Sequence, residues 1–481
     1  MKNRKFILTA LFASLILLGA YAQKSVAFRE GKLKIVQLTD IHWDPQSKNC
    51  AQTAQTIEAV LALEKPDIAM LTGDVVTEKP GPEGWKAIIA LLEKAQVPFT
   101  VMMGNHDAEV MPKQEIYDLL TQSPYFIGEK GPETIHGCGN YVVPVYGADH
   151  KTTKALLYCI DSNDYPESKD YGTYDWIHFD QIAWYRQTSA RFTKENGGNP
   201  LPALAFFHIA LPEYDAIPNN GTMLGEKNEG SGASKINSGL FASFIEMGDV
   251  MGAFVGHDHD NDFIGTHYQI ALAYGRVTGT DAYGDLERGM RVIELKENER
   301  SFDTWVRTPS KKGDIFYYPS GLTSLDEEQM SYLPATTTKA GKPGVAYTYY
   351  EGKFKSTADV LKAKPVKEGT FRNFSIKEAA ADDHFGYQFH SLINIPEKGV
   401  YKFHIYSDDG ARLFIDGQEV IDNDGSHSAG EATGKVALEK GFHEIRVIYF
   451  EDYMGQALEI GITGKNLPKQ VLPDGMLFLP E

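Results

Sequence analysis

The sequence predicts an α/β layered domain followed by a smaller all-β domain, and three observations carry that expectation. Short apolar runs alternate with helical stretches from Lys34 to about Arg307, the composition loosens from Pro309 to Gly344, and beyond that stretch the apolar period changes to two. With 481 residues, 42% of them hydrophobic, the chain is long enough for more than one core.

The elements follow in order. KIVQLT from Lys34 to Thr39, IAML from Ile68 to Leu71, FTVM from Phe99 to Met102, LAFF from Leu204 to Phe207 and GAFV from Gly252 to Val255 read as short buried strands. Between them, Ile57, Val60 and Leu61 mark one helical stripe, and Ile88, Leu91, Leu92 and Ala95 mark another at i, i+3, i+4 and i+7. The scattered Pro, Ser, Thr, Lys and Gly of residues 309–343 read as a linker, with PATTTKAGKPG its least structured part. In the last third, Tyr401, Phe403 and Ile405 alternate with polar residues, as do Ile445, Val447 and Tyr449, while Leu458, Ile460 and Ile462 share a third face. RLFIDGQEVI, from Arg412 to Ile421, places Asp-Gly between two strand-like runs, the chemistry of a two-residue hairpin turn.

The two ends of the charge scale matter for function. With 47 Lys and Arg against 65 Asp and Glu, the formal charge of -18 argues against nucleic acid as a partner. Lys2, Arg4 and Lys5 precede an apolar stretch from Phe6 to Leu18, and Ala20-Tyr21-Ala22 offers a small-x-small cleavage pattern. Residues 1–22 therefore read as a signal peptide, and the protein is expected to be exported to the periplasm, the cell surface or the medium. The apolar stretch is shorter than the roughly 20 residues a membrane anchor needs, and no later run is long enough, so no transmembrane segment is expected in the mature chain. Cys50, Cys138 and Cys159 allow at most one disulfide.

Five polar segments stand at or beside the C-terminal ends of the buried strands, where open α/β sheets place their ligands. They are Asp40-Ile41-His42, Gly73-Asp74, Gly104-Asn105-His106-Asp107, His208 and Gly256-His257-Asp258-His259. Each alone is ordinary turn chemistry. Together they gather five of the chain's 14 histidines beside carboxylates and an amide, donors that suit Fe, Zn or Mn.

In this order the segments resemble the calcineurin-like metallophosphoesterases, over about Lys34 to Arg307. FFHIALPEY from Phe206, the stretch from Asn237 to Phe263 and AYGRVTG from Ala273 look like the branch labelled purple-acid-phosphatase-like. The resemblance implies a layered β-sandwich flanked by helices over residues 23–308 and a centre of two metal ions. Asp40, His42 and His259 would hold one ion, Asn105, His208 and His257 the other, and Asp74 would bridge them. It implies hydrolysis of phosphate esters by a hydroxide generated between the cations, with His106, which the motif assigns to neither ion, as general acid. Phosphomonoesters are the expected substrates. A phosphodiesterase using the same centre, and a glycan-binding adhesin with an inactive scaffold, are the alternatives.

Two departures from the family pattern stand out. Relatives with Gly-Asp-x-x-Asp orient the catalytic imidazole with the second Asp, whereas Thr77 stands there, leaving Asp107 as the candidate substitute. The purple enzymes carry an iron-binding Tyr at that place, so a colourless protein is expected. Among other residues, Arg276 is a candidate phosphate clamp and Glu213 a candidate cleft residue. The Gly-rich stretch from Gly221 to Ser234 reads as a mobile loop near the site.

Ser407 to Gly417, with Val420 to Asp424, resembles the PA14 domain, over roughly residues 344–477. In carbohydrate-binding members paired Asp residues chelate Ca2+, which then holds sugar hydroxyls. The resemblance implies Ca2+ at Asp408, Asp409 and Asn423, with glycans as partners. The bland reading, that these residues form turns only, stays open beside it.

Overall fold

The computed structural model describes residues 25–218 and 223–481, and it forms two compact units, Met1–Phe316 and Tyr317–Glu481. The signal peptide expected at residues 1–22 lies outside the described residues. Among those described, no helix is long and apolar enough to cross a membrane.

The first unit carries β1 (Val26–Ala27), β2 (Lys32–Leu38), α1 (Cys50–Glu64), β3 (Ile68–Thr72), α2 (Gly81–Ala95), β4 (Phe99–Met102), α3 (Asp107–Val110) and α4 (Lys113–Leu120). There follow β5 (Tyr141–Tyr146), β6 (Thr153–Cys159), α5 (Phe179–Glu195), β7 (Ala203–Phe206), α6 (Leu240–Met247), β8 (Val250–Val255), β9 (Ile264–His267), β10 (Ile270–Tyr274), β11 (Met290–Lys296) and β12 (Phe302–Arg307). One sheet runs β1-β5-β6-β7-β8-β10-β9; the other includes the order β12-β11-β2-β3-β4. In the second, β2, β3 and β4 are parallel, with Leu38 opposite Leu71 and Thr72 opposite Met102, so their C-terminal ends finish level. In the first, β6, β7, β8 and β10 are parallel.

The five strands read from sequence are present, and all their residues from Ile68 to Leu71, Phe99 to Met102 and Gly252 to Val255 are buried. Burial on both faces explains their unbroken apolar character. Phe254 of β8 meets Phe302 of β12 at 5.8 Å between ring centroids, and Gln37 of β2 donates to the Val255 carbonyl at 2.9 Å, so the sheets pack face to face. Helices α1 and α2 pack together, as do α2 with α4 and α5 with α6. The stripe on α2 differs from the one expected: Trp85, Ile88 and Leu92 are buried, whereas Leu91 is partly exposed and Ala95 exposed. Gly81 and Gly84 share the buried side and draw that face inward. Each fully buried large side chain such as Trp85 contributes about 1.5–3 kcal/mol relative to exposure.

The second unit comprises β13 (Ala340–Pro343), β14 (Val345–Glu351), β15 (Lys367–Phe371), β16 (Phe385–Ile395), β17 (Gly399–Asp408), β18 (Ala411–Ile415), β19 (Gln418–Asn423), β20 (Gly430–Leu438), β21 (Gly441–Glu451), β22 (Ala457–Gly464), β23 (Leu467–Val471) and β24 (Leu477–Pro480). An eight-stranded sheet contains β13-β24-β16-β21-β18-β19 with β14 beside β16 and β15 beside β14, and a four-stranded sheet runs β20-β17-β22-β23. Tyr401, Phe403, Ile405, Ile445, Val447, Tyr449, Ile460 and Ile462 share one core, and Leu458 packs against it partly buried. The Asp416-Gly417 turn has φ of 47° and 80°, both left-handed, as the expected two-residue hairpin requires.

The stretch read as a linker is corrected in part. A helix at Ser324–Gln329 is capped by Thr323, and its Asp326 accepts from Lys435 Nζ at 2.8 Å. Leu333 exchanges backbone bonds with Ala437 and Glu439, and Thr336 N–H donates to Phe442. Low apolar content did not prevent ordering because backbone groups and two ion pairs, Asp326 with Lys435 and Glu327 with Lys465, tie the segment to the strands that follow. All three cysteines are free.

His443, whose side chain is fully buried, approaches Asp416 Oδ2 at 2.6 Å and the Glu439 carbonyl at 2.8 Å. Burial opposes its charge, but these acceptors outweigh it and raise its pKa above the ordinary 6.5. A raised folded-state pKa gives stability that is complete below about pH 6.5 and is lost as pH rises through the folded value. His443→Gln should therefore reduce amide protection at Asp416 and Glu444 more at pH 5.5 than at pH 9, measured by hydrogen exchange. An equal loss at both would show that His443 acts neutral.

Candidate metal centre

Backbone bonds at the level ends of the strands draw the five segments into one place. Asp40 N–H donates to Gly73, His42 N–H to Asp74, Gly256 N–H to His208, and Gly279 N–H to Asp40. Asp40, His42, Asp74 and His257 all have positive φ, of 52°, 44°, 50° and 81°. Such backbone costs about 1–3 kcal/mol per residue and persists where the surroundings over-determine it, commonly at functional sites.

Six of the seven expected ligands fall into two groups. Donor atoms of Asp40, His42 and His259 lie within 4.8 Å of one another, and so do those of Asp74, His208 and His257. Asp74 Oδ2 lies 3.1 Å from His208 Nε2 and 3.7 Å from His42 Nε2, so one carboxylate reaches both groups. His259 Nε2 is 3.4 Å from Asp40 Oδ1 and 3.2 Å from His42 Nε2. Asn105 is buried, and its Oδ1 has no hydrogen-bond partner.

The donor chemistry fits two cations. His208 Nδ1 lies 2.7 Å from the Thr72 carbonyl, which fixes the proton there and turns Nε2 to the cluster. That Nε2 is close to Asp74 but not aligned with it as a hydrogen bond. Burial pushes His42 down to about 4 and His257 down to about 3, leaving both imidazoles neutral with a lone pair to share. Burial opposes the charge on Asp40 and Asp74, but His259 beside the first and His208 beside the second hold both carboxyls well below the usual range. Burial likewise opposes charge on His208, yet Asp74 beside it lifts its pKa to about 10.

His106 stands at the rim, its ring 5.7 Å from that of His42. Its expected partner is corrected. Asp107 is fully buried and accepts from the N–H groups of Val75 at 2.9 Å, Val76 at 3.1 Å and Gly104 at 2.8 Å, so it ties the ligand loops together and does not orient His106. Glu109, unsuspected from sequence, takes that place: its Oε2 lies 3.1 Å from His106 Nδ1. The expected phosphate clamp is corrected too. Arg276 is buried and pairs with Asp262 Oδ2 at 2.5 Å, with a second bond to the Glu287 carbonyl, so its charge is spent internally. Glu213 accepts from Asn237 Nδ2 at 2.7 Å. Of the Gly-rich stretch, residues 219–222 lie outside the described residues, while Gly232 N–H donates to Asp258 beside the two ligand histidines. Three rim tyrosines were also missed: Tyr283 stacks on His259 at 3.9 Å, Tyr174 sets its edge to His257 at 4.4 Å, and Tyr165 bonds to Asn105 Nδ2 at 3.0 Å.

The calcineurin-like phosphoesterase profile matches residues 33–261. A probable inactive purple acid phosphatase of Arabidopsis thaliana is 34% identical over 59% of this chain and 81% of its own length. The chain belongs to the calcineurin-like phosphoesterase family. A phosphatase of Saccharomyces cerevisiae is 30% identical to it, over 64% of this chain and 59% of the yeast protein. The PA14 domain profile matches residues 341–465. A solved PA14 sugar-binding domain from an RTX adhesin is 18% identical, covering 29% of this chain and 99% of its own, with a TM-score of 0.26.

In the PA14 domain of this chain, carboxylate atoms of Asp408, Asp409 and Glu451 lie within 4.8 Å of one another. Glu451 was not foreseen. Burial, with Asp409 next, pushes it up to about 8. Asp409 accepts from the N–H groups of His427 and Asp452, both at 2.8 Å, and Asp408 from that of Ala429 at 3.0 Å. Asn423, the third expected ligand, donates its amide to Ser407 Oγ at 2.9 Å.

Proposed function

We propose that this chain is an active phosphoesterase that hydrolyses phosphomonoesters at a centre held by Asp40, His42, Asp74, Asn105, His208, His257 and His259. The observation that carries the reading is Asp74, whose single oxygen Oδ2 faces histidines of both clusters. Two cations held there would supply Lewis acidity toward a phosphoryl oxygen and toward water. Asp40 and Asp74 offset the cations' charge, the neutral imidazoles share lone pairs, and His106 hands a proton to the leaving oxygen from the exposed side. Tyr165, Tyr174 and Tyr283 stand beside Asn105, His257 and His259, where they offer ring faces to a substrate's organic group. The name of the plant relative includes the word inactive, whereas the carboxylates and imidazoles of this chain stand together in two groups. Turnover of p-nitrophenyl phosphate against bis-p-nitrophenyl phosphate, with metal content measured on the same sample, tests the reading. Faster cleavage of the diester would overturn the monoesterase part alone.

Export directed by residues 1–22, and Ca2+-dependent glycan binding at Asp408, Asp409 and Asn423, complete the proposal. The convergence of Asp408 and Asp409 with Glu451 supports the second.

The colour is expected to be absent. Thr77 stands where the purple enzymes carry their iron-binding Tyr, and two of the three rim phenols are otherwise engaged, Tyr283 with Glu229 at 3.0 Å and Tyr165 with Glu109 at 2.7 Å. The iron-loaded protein should show no tyrosinate charge-transfer band in its visible spectrum; such a band would refute this.

A further inference from the structure

We propose that Glu109 is the positioning residue of His106 and that Tyr165 clamps both to the ligand Asn105, an inference that rests on the phosphoesterase reading above. Four side chains form one directed series. Asn105 Nδ2 donates to Tyr165 Oη at 3.0 Å, Tyr165 Oη donates to Glu109 Oε1 at 2.7 Å, and Glu109 Oε2 lies 3.1 Å from His106 Nδ1. Each group has the capacity the series asks of it: an amide has N–H donors, a phenol both donates and accepts, and a carboxylate has two oxygens to accept with.

Local structure explains why these residues meet. His106 is the N-cap of α3, and Glu109 N–H donates to the His106 carbonyl at 3.1 Å, so i and i+3 stand on one face of the first turn. Tyr165 arrives from a loop 56 residues further on. Its amide partner matters as much as its acid partner. With Nδ2 of Asn105 fixed on Tyr165, the amide oxygen is the atom left facing inward, and it is the one without a hydrogen bond. One phenol thereby fixes both the direction of a ligand and the carboxylate behind the acid.

The competing carboxylates are committed elsewhere. Asp107 is held by three backbone N–H groups, and position 77 is a threonine whose N–H bonds to Trp43. With Nδ1 directed at Glu109, Nε2 is the nitrogen of His106 left to meet a leaving oxygen. Glu109 touches no reacting atom; it sets the tautomer and angle of the ring that does.

The test uses the full chain loaded with Zn. Glu109→Ala is expected to lower kcat for an alkyl phosphate such as glycerol phosphate by about 10–100-fold, with KM and the two bound ions unchanged. For 2,4-dinitrophenyl phosphate, whose leaving group departs without a proton, the loss should be under about threefold. Glu109→Gln keeps an acceptor and should recover part of the alkyl rate, whereas Tyr165→Phe, which also frees the Asn105 amide, should lower the rate on both esters. In Glu109→Ala an equal loss on both esters, or loss of metal, would overturn the positioning role in favour of a structural one. Nitrogen-15 spectra of selectively labelled histidine give a second readout. His106 is expected as the Nδ1–H form in the wild type, with that signal displaced in Glu109→Ala. If the wild type with two ions cleaves neither ester, the phosphoesterase reading fails, and the spectra still decide: an undisplaced His106 signal overturns the pairing.

Discussion

Asp74→Asn is expected to lower phosphoester turnover by at least about 10³-fold, equivalent to about 4 kcal/mol of transition-state stabilisation, and to leave the protein short of at least one ion. The substitution keeps the shape of the side chain and its acceptor for the His106 N–H, which meets Oδ1 at 2.9 Å. What it removes is the charge at Oδ2, the atom that faces His208 and His42 together. Two cations held by these groups would repel each other, and the Asp74 carboxylate would offset that repulsion. An amide nitrogen at Oδ2 would add a donor where a cation belongs. Elemental analysis and kcat/KM on one preparation decide the matter; two ions with a tenth or more of the activity retained would remove Asp74 from its bridging role.

Gly279→Ala is expected to do comparable damage from outside the ligand set. A Cβ at Gly279 would lie 1.6 Å from the carbonyl oxygen of Ile41 and 2.3 Å from its carbon, and both are backbone atoms. Ile41 stands between Asp40 and His42, and Gly279 N–H already holds the Asp40 carbonyl at 3.1 Å. Since no rotamer change relieves the clash, the loop must move. The expected loss is at least about 3 kcal/mol, the upper end of ordinary overpacking, which corresponds to a Tm lower by roughly 6–12 °C for a unit of this size. The ion held by Asp40, His42 and His259 should be lost with it. Gly230, exposed and with nothing within 4 Å of its position for a Cβ, supplies the control, and Gly230→Ala should leave both readouts unchanged. A Gly279→Ala protein with wild-type Tm and metal content would show that the loop yields freely.

The ligand set was legible in the sequence because its chemistry is local. Asp40, Asp74, Asn105, His208, His257 and His259 each follow a short strand, and strands buried on both faces announce themselves as unbroken apolar runs. What stayed hidden depends on partners distant along the chain. An arginine in a conspicuous motif invites a phosphate, and only the fold shows Asp262 already beside Arg276. Asp107 adjoins His106 in sequence yet points away from it, because its carboxylate is needed by the N–H groups of Val75, Val76 and Gly104. Glu109 left a signal that was overlooked, namely an acid one helical turn after the histidine. Tyr165 left none, since no local pattern links it to Asn105.

The fold shows the same division. The period of two in β17 and β21 made their buried face readable residue by residue. Tyr141–Tyr146 alternates buried and partly exposed residues but carries Pro144 in its middle, which hides a strand from pattern reading. On α2 the buried line passes through Trp85 and two glycines, and hydrophobicity alone selects Leu91 and Ala95 instead.

Metal content and turnover of the wild-type chain, measured together, test the central claim most directly. Elemental analysis of the purified protein should find two ions of Fe, Zn or Mn per chain at the first unit's centre. p-Nitrophenyl phosphate should be hydrolysed, activity should vanish on chelation, and it should return when one of these metals is added back. A chain that binds no metal and leaves the ester intact after addition of all three would contradict it.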